Sequence, residues 1–326
     1  MKTAILGIGS YAPPQVLTNA DLEKMVDTTD EWITTRTGIK ERRIADKDTP
    51  SSELAIIAAR EALEMAGITA DQLDAIVVGT VTPDYYFPST ACLLQHKLGA
   101  RKIMALDISA GCTGFIYATI LGDTLIQSGR AKYVLVVGVE ELTKITNWTD
   151  RSSCILFGDG AGAVVLGAPE NDEQGILSTY AAADGSLGDL LYQPGGGSVK
   201  PASHETVDKI EHTIKMAGNE VFKHAVRQME EAAIKALEKA NVAQDKLDWL
   251  ITHQANMRII DFLARRLKMP MEQVIVTIDK YGNTSAASVP MAFGDAVKEG
   301  KIKRGDLVLL VAFGAGFTWG SVLFRF

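Results

Sequence analysis

The chain repeats itself, and an internal repeat constrains a fold more tightly than any single motif. Residues 62–74 read ALEMAGITADQLD and residues 236–248 read ALEKANVAQDKLD, with seven of thirteen positions identical. Each stretch closes a helical pattern and leads into a strand, AIVVGT at 75–80 and WLITHQ at 249–254. A helix follows in each half, at about 88–98 and 257–268, and then a strand, KIMALDI at 102–108 and QVIVTID at 273–279. Next come AGCTGFIYATILGDTLIQSG at 110–129 and YGNTSAASVPMAFGDAVKEG at 281–300, each a long helix ending at glycine. Strong strands follow at 133–139 and 307–314, and each half closes on a glycine-rich hairpin, at 158–167 and 314–324. Strands alternating with helices predict a mostly parallel sheet in each half. The polar stretch APENDEQG at 168–175 is the expected join, dividing the chain into halves of 1–172 and 173–326. Residues 183–207 lack periodicity and are expected to form a long loop, a feature often functional in compact domains.

A chain of 326 residues, 47% hydrophobic and 22% charged, buries enough apolar surface to need no disulfide or metal staple. Its formal charge of −7 argues against nucleic acid as a partner, because phosphate binding wants a basic footprint. The three cysteines, Cys92, Cys112 and Cys154, do not make a disulfide framework. The N-terminal apolar run is too short and glycine-rich for a signal peptide. No stretch approaches the roughly 18 apolar residues of a membrane span. These features predict a cytoplasmic protein with no membrane partner.

The repeat puts Cys112 and Asn283 at matching positions, each after a glycine and each opening a helix, while His253 ends a strand before another helix. In open α/β sheets, such strand-to-helix turns are where ligands bind. The thiolate is the nucleophilic form of cysteine, and a helix N-terminus favours it by lowering the pKa. The helix after Cys112 is apolar through Ile120, as a buried helix is, and Gly111 and Gly114 leave room for a substrate. Residue type alone leaves a second reading open at each position. Cys112 also reads as a small core residue, His253 as a structural histidine, and Asn283 as a helix N-cap rather than an amide donor to an oxyanion. Cys92 and Cys154, in apolar runs without flanking glycines, read as core. No cluster has metal-ligand spacing. GDGAG at 158–162 and PGGGS at 194–198 match neither the dinucleotide fingerprint nor a P-loop and read as turns, which argues against a nicotinamide oxidoreductase.

Six segments together resemble β-ketoacyl-acyl carrier protein synthase III over essentially the whole chain. They are DTTDEWITTRTGIKERR at 27–43, DISAGCTGF at 107–115, FGDGAGA at 157–163, HQANMRI at 253–259, YGNTSAAS at 281–288 and FGAGFTWGS at 313–321. The resemblance implies a thiolase-like α/β fold of five αβαβα layers, a homodimer, and a catalytic triad of Cys112, His253 and Asn283. It implies an oxyanion hole from the backbone N–H groups of Cys112 and Gly314. Trp32 and Arg151 would sandwich the adenine of coenzyme A, Thr28 and Arg36 would contact its nucleotide end, and Asn219 and Ala255 would flank its pantetheine arm. The acyl pocket would involve Leu142, Phe157 and Phe313, with Phe87 capping it across the dimer. Gln254, Arg258, Arg265, Arg266 and Lys268 would form the carrier-protein surface, a basic face suited to an acidic partner.

The implied reaction begins fatty-acid synthesis. Cys112 takes an acyl group, acetyl by family default, from acyl-CoA. Malonyl-acyl carrier protein then loses CO₂, and its carbanion attacks the acyl-cysteine. No cofactor is implied. The alternatives are a related synthase of secondary metabolism and a silent acyl-CoA-binding protein. A degradative thiolase would want a second catalytic cysteine near the C-terminus, where none follows Cys154, and the elongating synthases use Cys-His-His, from which Asn283 departs.

Overall fold

A computed structural model describes residues 2–169 and 171–326. Met1 and Glu170, the latter inside the expected join, lie outside the described residues. Ten strands build two five-stranded sheets. They are β1 (Ala4–Tyr11), β2 (Ala75–Gly79), β3 (Met104–Ile108), β4 (Val134–Glu141), β5 (Asp159–Gly167), β6 (Gly175–Ala183), β7 (Trp249–Thr252), β8 (Val274–Ile275), β9 (Leu307–Gly314) and β10 (Thr318–Arg325). The first sheet runs β1-β5-β4-β2-β3 and the second β6-β10-β9-β7-β8, the same order position for position. The repeat in the sequence is therefore a repeat of topology.

The seven principal helices are α1 (Asp30–Thr37), α2 (Ser51–Ala66), α3 (Thr90–Leu98), α4 (Gly114–Gln127), α5 (Gly218–Ala240), α6 (Met257–Arg266) and α7 (Ser288–Lys298). Helices α4 and α7 lie between the two sheets. Their side chains share one apolar cluster with strands of both, in which Phe115 and Ile116 meet Val289 and Phe293. Helices α2 and α3 cover the outer face of the first sheet, and α5 and α6 that of the second. The result is five layers, αβαβα. Strands β4, β5 and β9 are buried along their whole length. That is why they read as near-continuous apolar runs rather than as alternating ones.

Three expectations need correction. Each sheet is mixed, not mostly parallel: β3, β2 and β4 pair in parallel, but β4–β5 and β5–β1 are antiparallel, as are β9–β10 and β10–β6 in the second sheet. GDGAG is not a turn but lies at the start of β5. Its Gly162 faces α7, where a Cβ would come within 2.6 Å of the Pro290 Cβ, so the glycine marks a helix packed directly on a strand. Residues 183–207 are not structureless. They contain a turn at Gly185–Leu190, a strand Leu191–Tyr192 paired with Lys215–Met216, and the start of a helix at His204–Asp208.

The central layer should dominate stability. Phe293 of α7 is fully buried, with its ring 5.5 Å from Phe324 and 5.1 Å from Phe326. Replacing it with alanine should cost about 3–5 kcal/mol, read as a lowered urea midpoint with an unchanged slope.

Candidate active site

The nucleophile candidate sits where the two halves touch. A single 3-10 turn, Gly111–Thr113, precedes α4. Gly111 has φ +55°, and a Cβ there would lie 2.6 Å from the Ala315 nitrogen at the end of β9. A Cβ on Gly114 would press on Gly79 and Ala286. The flanking glycines therefore make room for three other segments of the protein, and Gly111 also lines the cavity. The same packing sets Gly314 against Cys112, with a Cβ on Gly314 falling 2.4 Å from the Cys112 nitrogen.

Cys112, His253 and Asn283 all line one cavity of about 780 Å³. His253 and Asn283 are 3% and 7% exposed. Leu142, Phe157 and Phe313 line it too, as do Trp32, Arg36, Asn219, Ala255 and Arg258 nearer its mouth. Sequence reasoning missed a whole wall: Leu191, Tyr192 and Gln193 from the supposed loop, with Ile214 and Met216 opposite them. The only available signal was the lack of periodicity in 183–207. It also missed Ser285, which lines the floor, and Glu140 and Ser288, which lie behind it.

Burial sets the protonation states. The expectation for Cys112 was a lowered pKa. Instead, removal from water pushes the thiol up to about 12, with the nearby Glu140 carboxylate adding to the rise and a hydrogen bond to Ser285 opposing it. The resting group is a thiol. Burial alone drives His253 down to about 3, so its imidazole is neutral. Its Nδ1 lies 2.7 Å from the Ser288 hydroxyl, whose oxygen also accepts the Gln254 N–H at 3.4 Å. In the tautomer in which Ser288 donates to Nδ1, Nε2 carries the ring proton and is the cavity-side donor. Asn283 is held by backbone bonds to Leu156 at 2.8 Å and Gly158 at 3.0 Å. Its Oδ1 accepts the Ser285 N–H at 2.9 Å. Asn283 is not the cap of the following turn or helix, whose N-caps are Thr284 and Ala287, and its Nδ2 amide has no protein partner among the described residues.

Other expected residues are not part of the cavity wall. Thr28, Arg151 and Phe87 do not line it. Arg151 lies against Trp32, its guanidinium 4.8 Å from the ring centroid, and Arg36 stacks on the same ring at 4.3 Å. A spacing of 4.8 Å leaves no room for an adenine, so Arg151 must swing away to admit one. Phe87 is 86% exposed and projects beside the exposed Tyr85 and Tyr86. Gln254 must be removed from the carrier-protein surface. It is 1% exposed, and its amide is consumed by Thr252, Ile275, Thr277 and Ile278. Arg265 and Arg266 are exposed but paired with Asp261 and Glu230. Arg258, which packs on Phe222, and Lys268 form no ion pair among the described residues.

A cysteine at the wall of a cavity shared with a neutral histidine and an asparagine amide, at the junction of two repeated αβ halves, marks a thiolase-like condensing enzyme. Residues 106–185 match 3-oxoacyl-[acyl-carrier-protein] synthase III, and residues 237–326 match the C-terminal region of that family. The chain is 55% identical, over 100% of its length and 98% of the relative's, to the beta-ketoacyl-[acyl-carrier-protein] synthase III of Caldanaerobacter subterraneus subsp. tengcongensis. The crystal structure of 3-oxoacyl-[acyl-carrier-protein] synthase III from Aquifex aeolicus is similar, with 53% identity and a TM-score of 0.92 over 99% of this chain and 100% of that one. The priming β-ketosynthase of the R1128 polyketide pathway is also similar, at 36% identity and a TM-score of 0.91 over 99% and 96%. The chain belongs to the β-ketoacyl-acyl carrier protein synthase III family. It is an acyltransferase that makes a carbon–carbon bond by Claisen condensation at the start of fatty-acid synthesis.

The histidine tautomer is checkable. Nitrogen NMR of the labelled protein should show the proton of His253 on Nε2 and no protonation of the ring between pH 8 and pH 5. In Ser288→Ala the tautomers should mix and the decarboxylating half-reaction should slow by roughly 10-fold. A proton fixed on Nδ1 in the unmodified protein would sink the assignment.

Proposed function

We propose that Cys112 is the acyl acceptor and that His253 and Asn283 stabilise the charge formed when the second substrate loses CO₂. Cys112 attacks the thioester carbonyl of an acyl-CoA and keeps the acyl group. The Cys112 and Gly314 N–H groups hold the tetrahedral oxyanion. Malonyl-acyl carrier protein then enters the same cavity, and decarboxylation puts negative charge on its thioester oxygen. Neutral donors suit that oxygen, because they stabilise charge that arises only during the reaction. The observation that carries this reading is the neutral His253 on the same cavity as an Asn283 amide whose Nδ2 has no protein partner among the described residues.

Acyl-CoA enters past Trp32 and Arg36, with Arg151 released from Trp32 to stack on the adenine and Thr28 at the nucleotide end. Asn219 and Ala255 flank the pantetheine arm. The acyl chain lies against Leu142, Phe157 and Phe313, and acetyl is the proposed primer. The exposed Tyr85, Tyr86 and Phe87 fit an interface in a homodimer, where Phe87 would cap the partner's acyl pocket. Arg258 and Lys268, with the weaker help of the paired Arg265 and Arg266, face the acidic carrier protein. The halves 1–172 and 173–326 act as two thiolase-like units that bring the cysteine and the His–Asn pair. The reaction balances without metal, nucleotide or redox cofactor, and it is placed in the cytoplasm. No helix among the described residues is long and apolar enough to cross a membrane.

Incubation with acetyl-CoA should add one acetyl group to the intact mass, and Cys112→Ser should abolish it. His253→Ala should leave loading within about threefold while slowing malonyl decarboxylation by roughly 100-fold. An adduct that survives Cys112→Ser, or equal loss of both half-reactions in His253→Ala, would overturn the assignment.

A further inference from the structure

A thiol held near 12 is a poor nucleophile until something takes its proton. One ring nitrogen of His253 is occupied by Ser288, and the proposed decarboxylation uses the other as a donor. The structure holds a different acceptor. Glu140, at the end of β4, is fully buried. Its Oε1 accepts the Ser285 hydroxyl at 3.0 Å, and its Oε2 accepts the Thr82 hydroxyl at 2.6 Å. The Val81 N–H reaches the carboxylate at 3.1 Å, the Thr80 hydroxyl lies 3.3 Å away, and the Ala286 N–H also points at it. Every neighbour is a donor, which suits the ionised form. Among the described residues no cation pairs with it. The adjacent Glu141 faces the other way, toward Lys144, Asp159 and Asp84, and Cys112 is the titratable group facing Glu140.

Ser285 bridges this carboxylate to the nucleophile. Its hydroxyl donates to Glu140, it lines the same cavity wall as Cys112, and it lowers the pKa of the thiol. Its backbone has φ +47°, a left-handed conformation that is strained for a residue with a side chain. The Asn283 Oδ1 holds it there through the Ser285 N–H.

We propose that Ser285 and Glu140 form the proton relay that activates Cys112 for acyl transfer, with Glu140 acting as a positioning residue through Ser285. The inference rests on the reading of Cys112 as acyl acceptor. As the Cys112 sulfur bonds to the thioester carbonyl carbon, its proton passes to Ser285 Oγ and the Ser285 proton passes to Glu140. Ser285 stays neutral, and Glu140 becomes a carboxylic acid. When the tetrahedral intermediate collapses, the carbon–sulfur bond to CoA breaks. The proton returns through Ser285 to the leaving sulfur, so CoA departs as a thiol and Glu140 is again a carboxylate. Burial lifts the Glu140 carboxyl to about 7, which suits a base working near neutral pH.

The test is single-turnover loading of Cys112 from acetyl-CoA, followed by intact mass from pH 5.5 to 9. In the unmodified enzyme the rate should rise with pH, inflect near 7 and level off. Glu140→Gln and Ser285→Ala should each slow loading at pH 7.5 by roughly 100-fold and remove the inflection. Glu140→Asp should restore it in part. Malonyl decarboxylation, measured separately, should stay within about threefold in Glu140→Gln. Loading that keeps its rate in either variant, or that slows but keeps the inflection near 7, overturns the relay. If Glu140→Gln does not fold, Ser285→Ala decides alone. Failure of the unmodified enzyme to form any adduct at Cys112 instead overturns the underlying function.

Discussion

The contact between the start of α4 and the end of β9 holds the rest of the site in place. Gly314 packs on the Cys112 nitrogen, the Thr318 hydroxyl donates to the Ala110 carbonyl at 2.8 Å, and the Thr113 hydroxyl donates to the Thr318 carbonyl at 3.1 Å. Across the same seam, Phe157 and Asn283 form an isolated parallel bridge. The first half supplies Cys112 and the second supplies the backbone it leans on. Neither half has a site of its own, because the central layer of α4 and α7 exists only when both sheets enclose it. Such packing resists small displacements, which is what a site relying on fixed donors requires.

The burial that creates the site also sets opposing pH demands. His253 holds a pKa of about 3 when folded, against an ordinary value of 6.5. The unfolded chain takes up that proton first, so this residue weakens the fold as pH drops from about 6.5 toward 3. Glu140 and Glu141 are raised to about 7 from 4.5. The unfolded chain releases those protons first, so these residues weaken the fold as pH rises from about 4.5 through 7. Their slopes oppose over the shared window from about 4.5 to 6.5. The burial that keeps the cavity's histidine neutral also raises the carboxyls of the strand end behind it, and both follow from the same removal of water.

Much of this was legible in the chain. The repeat at 62–74 and 236–248 foretold two matching sheets, and the Cys112–Asn283 correspondence brought two distant residues to one cavity. What the sequence could not carry was the identity of each residue's neighbours. Gly111 and Gly114 announce a close approach, but not that Ala315, Gly79 and Ala286 are what approaches. A helix start suggests an acidic thiol, yet the cost of burial wins over the favourable field. Glu140 reads as an ordinary charge in VGVEEL, because nothing local says that a strand buried on both faces will end on a carboxylate. Gln254 sits in a recognisable motif, but only the fold shows its amide spent on four backbone groups. Strand direction failed for a similar reason: β5 returns beside β4 through 142–158, a connection with no periodicity to read.

The basic face of α6 is weaker than its composition suggests. Arg265 and Arg266 spend their charge on Asp261 and Glu230 within the chain, and surface pairs of this sort contribute little. On a chain of net charge −7, this leaves Arg258 and Lys268 as the α6-side cations without an ion pair among the described residues, and Arg258 also lines the cavity mouth. Long-range attraction for an acidic carrier protein is then modest and readily screened by salt. Selection must fall instead on what threads past Arg258 and Arg36 into an apolar tunnel that ends at Cys112. A thioester on a long flexible arm meets that requirement whether the arm hangs from a nucleotide or from a protein. One cavity can therefore admit either arm, and under the proposed mechanism the nucleotide and the carrier protein would use the same mouth in turn.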